Sequence, residues 1–433
     1  MESFAPKDGH EVIVLEYDRG RAEWLEPRKH NFDTGEIENL PEICFLFMTR
    51  KQFTTLNKQG PDLVSGFGAP RFLAKKPLVE LNGYFGARTR REPPTGVGSN
   101  KTQNGVRECS TWFRIFIKML RKVDGGGTRA ADPEYVKDIA KDYVWHEMGF
   151  FSNWKKGGDS AGDDGSTLRI LCVDTPDEMP RRIRELLEER KEDRPPGEAA
   201  SFADPLALHG VLLDKVIMLS DVAVWRVRDR VRDIEQSRGH TSVGKRFEVM
   251  HEVGRHGIHV SEVLEVTTNT ISSLLEYQSS LHQDVGLNLG PEYTMQAQEY
   301  GRFQLETVKS MKLRSVSNDK RLDKEITLAF NQIAQSDNTV VKSIAVLSMF
   351  FLPSTFVSAI FSTSFFEFQD SGWAMSDKFW IYWAVAIPAT LLAPIYMLFA
   401  FNKPKKLWIT MNARMEKYKR NKEAAKTEVN STV

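Results

Sequence analysis

Two stretches of this chain carry no charged residue, Ser343 to Phe366 and Phe379 to Asn402, each 24 residues long. As helices rising about 1.5 Å per residue, each would span roughly 36 Å, enough to cross a hydrocarbon core about 30 Å thick. A soluble core takes helices that are apolar on one side, whereas these runs are apolar all round and lie together near one end of the chain. The sequence therefore predicts a membrane hairpin, with a first span over 343–366, a connecting loop over 367–378 and a second span over 379–402. The opening segment, MESFAPKDGHEVIV, has neither the basic nor the apolar region of a signal peptide.

Charge sets the expected orientation. The loop holds Glu367, Asp370 and Asp377 against a single lysine. The tail over 403–433 holds nine Lys and Arg against three Glu, a net of +6. Positive flanks stay inside, so both termini are expected in the cytosol and the acidic loop outside, in a membrane the sequence does not specify. Trp373, Trp380, Trp383 and Trp408 suit interfacial belts.

Composition closes several other classes. The whole chain has a net charge of +1 with 27% charged residues, which excludes a strongly basic nucleic-acid binder and a mainly disordered polymer. Cys44, Cys109 and Cys172 are too far apart for a CxxC site and too few for a disulfide framework, so reduced thiols are expected. No P-loop or GxSxG occurs, and GVGSN (Gly96–Asn100) lacks the third glycine of a dinucleotide site. HEVGRH places its second histidine one residue too late for HExxH, so His251, His256 and His259 are expected on a solvated helix face. Asp159–Gly165 puts Ala161 where a calcium loop needs a ligand. The Asn100 and Asn430 sequons fall on the expected cytosolic side. No catalytic constellation and no resident cofactor emerge, so the chain does not read as an enzyme.

The segment before the spans divides by pattern. Residues 1–200 read as an α/β domain, with strands at Val12–Tyr17, Cys44–Thr49, Thr111–Ile117 and Thr167–Val173 and a charged helix at Met179–Asp193. Arg90–Gly105, Gly125–Pro133 and Lys155–Ser166 read as loops. Residues 201–290 read as an antiparallel helical pair that turns near Arg238–Gly244. A stalk helix over 291–342 opens at Pro291, with Glu292 complementing the helix dipole. Leu322, Ile326, Phe330 and Ile333 mark one face of it, and Ser315–Asp319 is a point where it could bend. A helix this long cannot bury its apolar face alone, so packing on the preceding pair or on copies of itself is expected.

Within the first span, Ser348, Thr355, Ala359 and Ser362 recur at helical steps and share one face with Val341, Ile344 and Leu352; Asn338 points the same way. Two readings stand. The hydroxyls could support close helix packing while bonding back to their own helix. Alternatively, they could line an aqueous path in which oxygens meet a hydrated cation and apolar rings gate by dewetting. Pro353 would bend the span and free a carbonyl.

FLPSTFVSAIFSTSFF (Phe351–Phe366), with its Pro-x-Thr-Phe step, small residues and aromatic Phe361, resembles the first span of the CorA-type divalent-cation transporters. NTVVK (Asn338–Lys342) sits where that family has NxxMK, and KPKKLW (Lys403–Trp408) is similar to the basic end after its second span. YFGARTRREP, TWFRIFIKM and YVWHEMGFFSNW resemble the fungal CorA-like branch. The resemblance implies an α/β cytosolic domain, a helical stalk continuous with the first of two spans, and a homopentamer in the lipid bilayer. It also implies a central Mg2+ pathway lined by Asn338, Val341, Ile344, Ser348, Leu352, Thr355, Ala359 and Ser362, with regulatory carboxylates that the sequence leaves unassigned. The family's Gly-Met-Asn mouth is replaced here by Ser362, Thr363 and Ser364. Serine reaches less far than asparagine and lacks glycine's freedom at the turn. The expected function is passive passage of Mg2+ or a related divalent ion. The alternative is a non-conducting membrane-anchored scaffold or regulator that kept the fold.

Overall fold

The computed structural model describes residues 11–32, 37, 39–59, 63–74, 81–92, 105–121, 142–157, 165–192, 202–238, 243–362, 366–369, 372–375 and 377–401. Two compact units emerge, Met1–Ala329 and Phe330–Val433.

The first unit is mixed α/β. Strands β1 (Glu11–Asp18), β2 (Glu23–Trp24), β3 (Arg28–Asn31), β4 (Ile43–Met48), β5 (Gly83–Arg91), β6 (Val106–Leu120), β7 (Tyr143–Lys155) and β8 (Thr167–Val173) form one sheet. Its order is β2-β1-β4-β8-β7-β6-β5, with β3 also paired to β1. β4 and β8 run parallel at the centre, in register from Ile43↔Leu168 to Met48↔Val173. β4 reads ICFLFM and is buried at every position, as a strand covered on both faces must be. Alternate residues separate two cores. Ile43, Phe45 and Phe47 face one, and Cys44, Leu46 and Met48 face the other.

The second of these cores is closed by α1 (Arg50–Gln59) and the short α2 (Leu63–Gly66), through Leu56, Leu63 and Val64. A reciprocal cap starts α1: Gln52 N–H donates to Thr49 Oγ1 at 3.3 Å and Thr49 N–H donates to Gln52 Oε1 at 2.8 Å. The other core is closed by α3 (Met179–Glu192), α4 (His209–Gln236), α5 (Val243–His282) and the start of α6 (Pro291–Phe361). Further along, Leu322, Ile326 and Ala329 of α6 pack with Val231, Ile234, Val249, Met250 and Val253. Arg321 forks onto Glu235 at 2.6 and 2.9 Å, fixing α6 to α4. The stalk thus finds its partner in the preceding helical pair.

Several expectations need correction. Ser315–Asp319 is not a bend, because α6 runs through it. Its polar residues form a seam instead: Ser315 Oγ lies 2.8 Å from Ser261 Oγ, which donates to Asp319 Oδ2 at 2.7 Å. Burial raises the Asp319 carboxyl above its usual range, and the Ser261 hydrogen bond opposes that rise. His256 is fully buried, 5.2 Å from the Tyr143 ring, rather than solvated, whereas His251 is exposed. Phe330 is exposed although Leu322 and Ile326 are not.

The second unit holds the rest of α6, strands β9 (Phe366–Gln369) and β10 (Gly372–Met375), and α7 (Trp380–Phe401). The expected first span ended at Phe366, but α6 ends at Phe361 and Phe366 opens a strand. The connecting loop is partly ordered as an antiparallel hairpin pairing Trp373 with Phe368. Within α6, Val341–Ala359 is long and apolar enough to cross a membrane. α7 is 22 residues long, and its described apolar stretch, Trp380–Leu392, is shorter than a crossing length. The readings made for Gly125–Pro133, Asp159, Asn100, Asn430, Thr363, Ser364, Asp370 and the 403–433 tail lie outside the described residues.

Candidate functional site

The site is a face of α6 in the second unit. Asn338, Val341, Ile344, Ser348, Leu352, Thr355, Ala359 and Ser362 are all exposed. At about 100° per residue, the seven from Val341 to Ser362, the last of them one residue past the end of α6, fall within an arc of about 80°, with Asn338 about 40° outside it. Val357 stands about 180° away from the arc's centre, and it is buried. Next to it, Ser358 Oγ lies 2.7 Å from Tyr382 Oη of α7, and Ala386 of α7 is buried too. Ser358 lies about 60° round the helix from Thr355 and about 40° from Ser362, so the contact with α7 borders the hydroxyl face rather than falling on it. Phe351 and Phe356 flank the hydroxyl face, at 60% and 66% exposure.

Hydrogen bonding decides what this face can offer. Thr355 Oγ1 donates back to the Phe351 carbonyl at 2.9 Å and lies 3.0 Å from that of Leu352. Ser362 Oγ donates to the Ala359 carbonyl at 3.1 Å. Each hydroxyl spends its only proton on its own helix and keeps its lone pairs. What the face presents outward is an acceptor. Waters around a cation point their protons outward and so find partners here, whereas waters around an anion point their oxygens outward and do not. Pro353, inside α6, provides no N–H for the Met349 carbonyl one turn back.

Of the acidic loop, Glu367 falls in β9 and Asp377 is exposed just before α7. Among the described residues no group of three or more His, Cys, Asp or Glu could hold a metal ion, so regulatory carboxylates remain unassigned. The buried acid Asp204 is committed elsewhere. It accepts from Tyr293 Oη at 2.8 Å and from Leu206 N–H at 2.9 Å, and its Oδ2 lies 3.0 Å from His282 Nε2. The three cysteines are free and buried. Burial pushes the Cys44 and Cys109 thiols up to about 12.

Sequence reasoning missed Tyr382. Its signal was a phenol hydroxyl inside an otherwise apolar helix, a group that needs a partner wherever water is absent.

No family model matches the chain. Among curated proteins it is 30% identical over 286 residues to the notoamide biosynthesis cluster protein M' of Aspergillus versicolor, a match covering 59% of this chain. The chain spans 60% of that relative's length. Among solved structures it is similar to the CorA magnesium transporter from Methanocaldococcus jannaschii, at 10% identity, 89% of this chain, 96% of that one and a TM-score of 0.49. It is also similar to the full-length CmaX protein, at 13% identity, 91% of this chain, 98% of that one and a TM-score of 0.43.

Proposed function

We propose that this chain is a CorA-like membrane protein that assembles as a homopentamer and passes Mg2+ or a related divalent cation passively through a path lined by α6. Each copy would contribute two spans, α6 from about residue 343 and α7, with both termini cytosolic. Residues 1–200 would form the α/β domain, 201–290 the helical pair and 291–342 the stalk. The observation that carries the reading is the acceptor-bearing face of α6, exposed and bordering the α7 contact rather than covered by it. Rings of Ser348 and Thr355 hydroxyls would accept from a hydrated ion, while Ile344 and Leu352 would form dewetting constrictions between them. Glu367, Asp370 and Asp377 would concentrate cations at the outer mouth.

The non-conducting scaffold keeps one point in its favour: serines and a threonine stand where the family has Gly-Met-Asn. Purified protein in liposomes, loaded with a Mg2+-sensitive dye, separates the two readings. The proposal expects entry down the gradient without nucleotide. An intact oligomer that passes no divalent cation contradicts it and leaves the scaffold.

A further inference from the structure

We infer that Tyr382 is a positioning residue for the ion path: its hydroxyl clasps Ser358 and sets the rotation of α6, so that Thr355 rather than Phe351 or Phe356 faces the axis. The inference rests on the channel reading above.

The geometry supports this in three steps. Ser358 Oγ and Tyr382 Oη are 2.7 Å apart, close enough for a good O–H···O bond. Within a bilayer no water competes for either hydroxyl, which favours the pair. Ser358 sits about 60° round α6 from Thr355 and about 100° from the buried Val357. A bond at that angle ties α6 to α7 at the border of the hydroxyl face, close enough to set its rotation and outside the path itself. The Tyr382 ring is stacked 5.8 Å from Phe379 and edge-on 5.1 Å from Trp383. The clasp therefore joins α6 to a ring that packs against its own neighbours in the chain.

The neighbours of the hydroxyl face make its rotation matter. Phe351 and Phe356 lie on either side of Thr355, about 40° and 100° away round the helix. A turn of α6 either way replaces an acceptor with an aromatic ring, and a ring of benzyl groups dewets the path. Apolar contact between α6 and α7 resists such a turn weakly, because lipid tails are as apolar as the side chains.

The test is thiol accessibility in the reconstituted full chain. The native cysteines are buried. Single cysteines at Thr355, Phe351 and Phe356 are therefore read directly with a charged, membrane-impermeant thiol reagent. With Tyr382 intact, Thr355→Cys should react faster than Phe351→Cys or Phe356→Cys. Adding Tyr382→Phe, which keeps the ring contacts, should slow Thr355→Cys about threefold or more and speed one of the phenylalanine positions. Divalent flux should fall in parallel. Ser358→Ala should reproduce the shift, and Ser358→Thr, which keeps a hydroxyl, should not. An accessibility pattern unchanged by Tyr382→Phe overturns the inference while leaving the channel reading in place. If Thr355→Cys does not react even with Tyr382 intact, the channel reading fails and the clasp falls with it.

Discussion

Replacing Asp204 with alanine should destabilise the first unit more than any change to the groups around it. Asp204 and His282 side chains are each 1% exposed. The carboxylate joins three segments: the turn before α4 through Leu206, the end of α5 through His282 and the start of α6 through Tyr293. Without it, Leu206 N–H and the His282 ring are left in the dry interior, each such orphan costing about 1–3 kcal/mol. Tyr293 is 37% exposed, so its hydroxyl can turn to water at little cost. The two orphaned groups together put the expected loss at about 3–5 kcal/mol. At about 2 °C per kcal/mol for a large domain, the unfolding midpoint should drop by roughly 6–10 °C. The assay is thermal unfolding of the detergent-solubilised chain by tryptophan fluorescence, with Tyr293→Phe as control at under about 1 kcal/mol. A drop for Asp204→Ala no larger than that for Tyr293→Phe would refute the reasoning.

Three further outcomes are expected. Thr355→Leu and Ser348→Leu should each cut divalent flux at least tenfold with the oligomer intact by gel filtration; unchanged function in both would favour the scaffold. Burial lowers His209 from 6.5 to about 4 in the fold. The unfolded chain therefore binds the extra proton first as pH falls, and stability should decline between about pH 6.5 and 4. Denaturant titrations should show that slope, flattened in His209→Gln. With Cys44 and Cys109 raised to about 12 and Cys172 also pushed well up by burial, a charged alkylating reagent at pH 8 should label the chain only after denaturation, as read by mass shift.

Parts of the fold were legible because their patterns are local. The strand at Thr167–Val173 was found at its observed bounds, and Pro291 does begin α6, since a buried parallel strand and a helix start both announce themselves over a few residues. β5, GYFGARTRR, was missed. It lies at the sheet edge with one paired neighbour, so its arginines can point to water and to Glu108 and Asp284, and no apolar run marks it. β7 was passed over as a strand because its first half is only partly buried. His256 misled because polarity was taken for exposure, whereas α5 is covered by both α4 and the sheet; Ser315–Asp319 misled because its polar residues read as a weak point of the helix, whereas they bond across to Ser261 of α5. On the site, helical spacing picked out a face that is exposed throughout, but the Ser358–Tyr382 clasp joins two helices and cannot be read from either one.

The most direct test of the central claim is electron cryomicroscopy of the purified oligomer at side-chain resolution. The account predicts five copies of α6 around one axis, with Ser348 and Thr355 facing that axis and Val357 facing α7. A lone subunit, or a ring whose axis is lined by Val357 with the hydroxyl face turned to lipid, would contradict it.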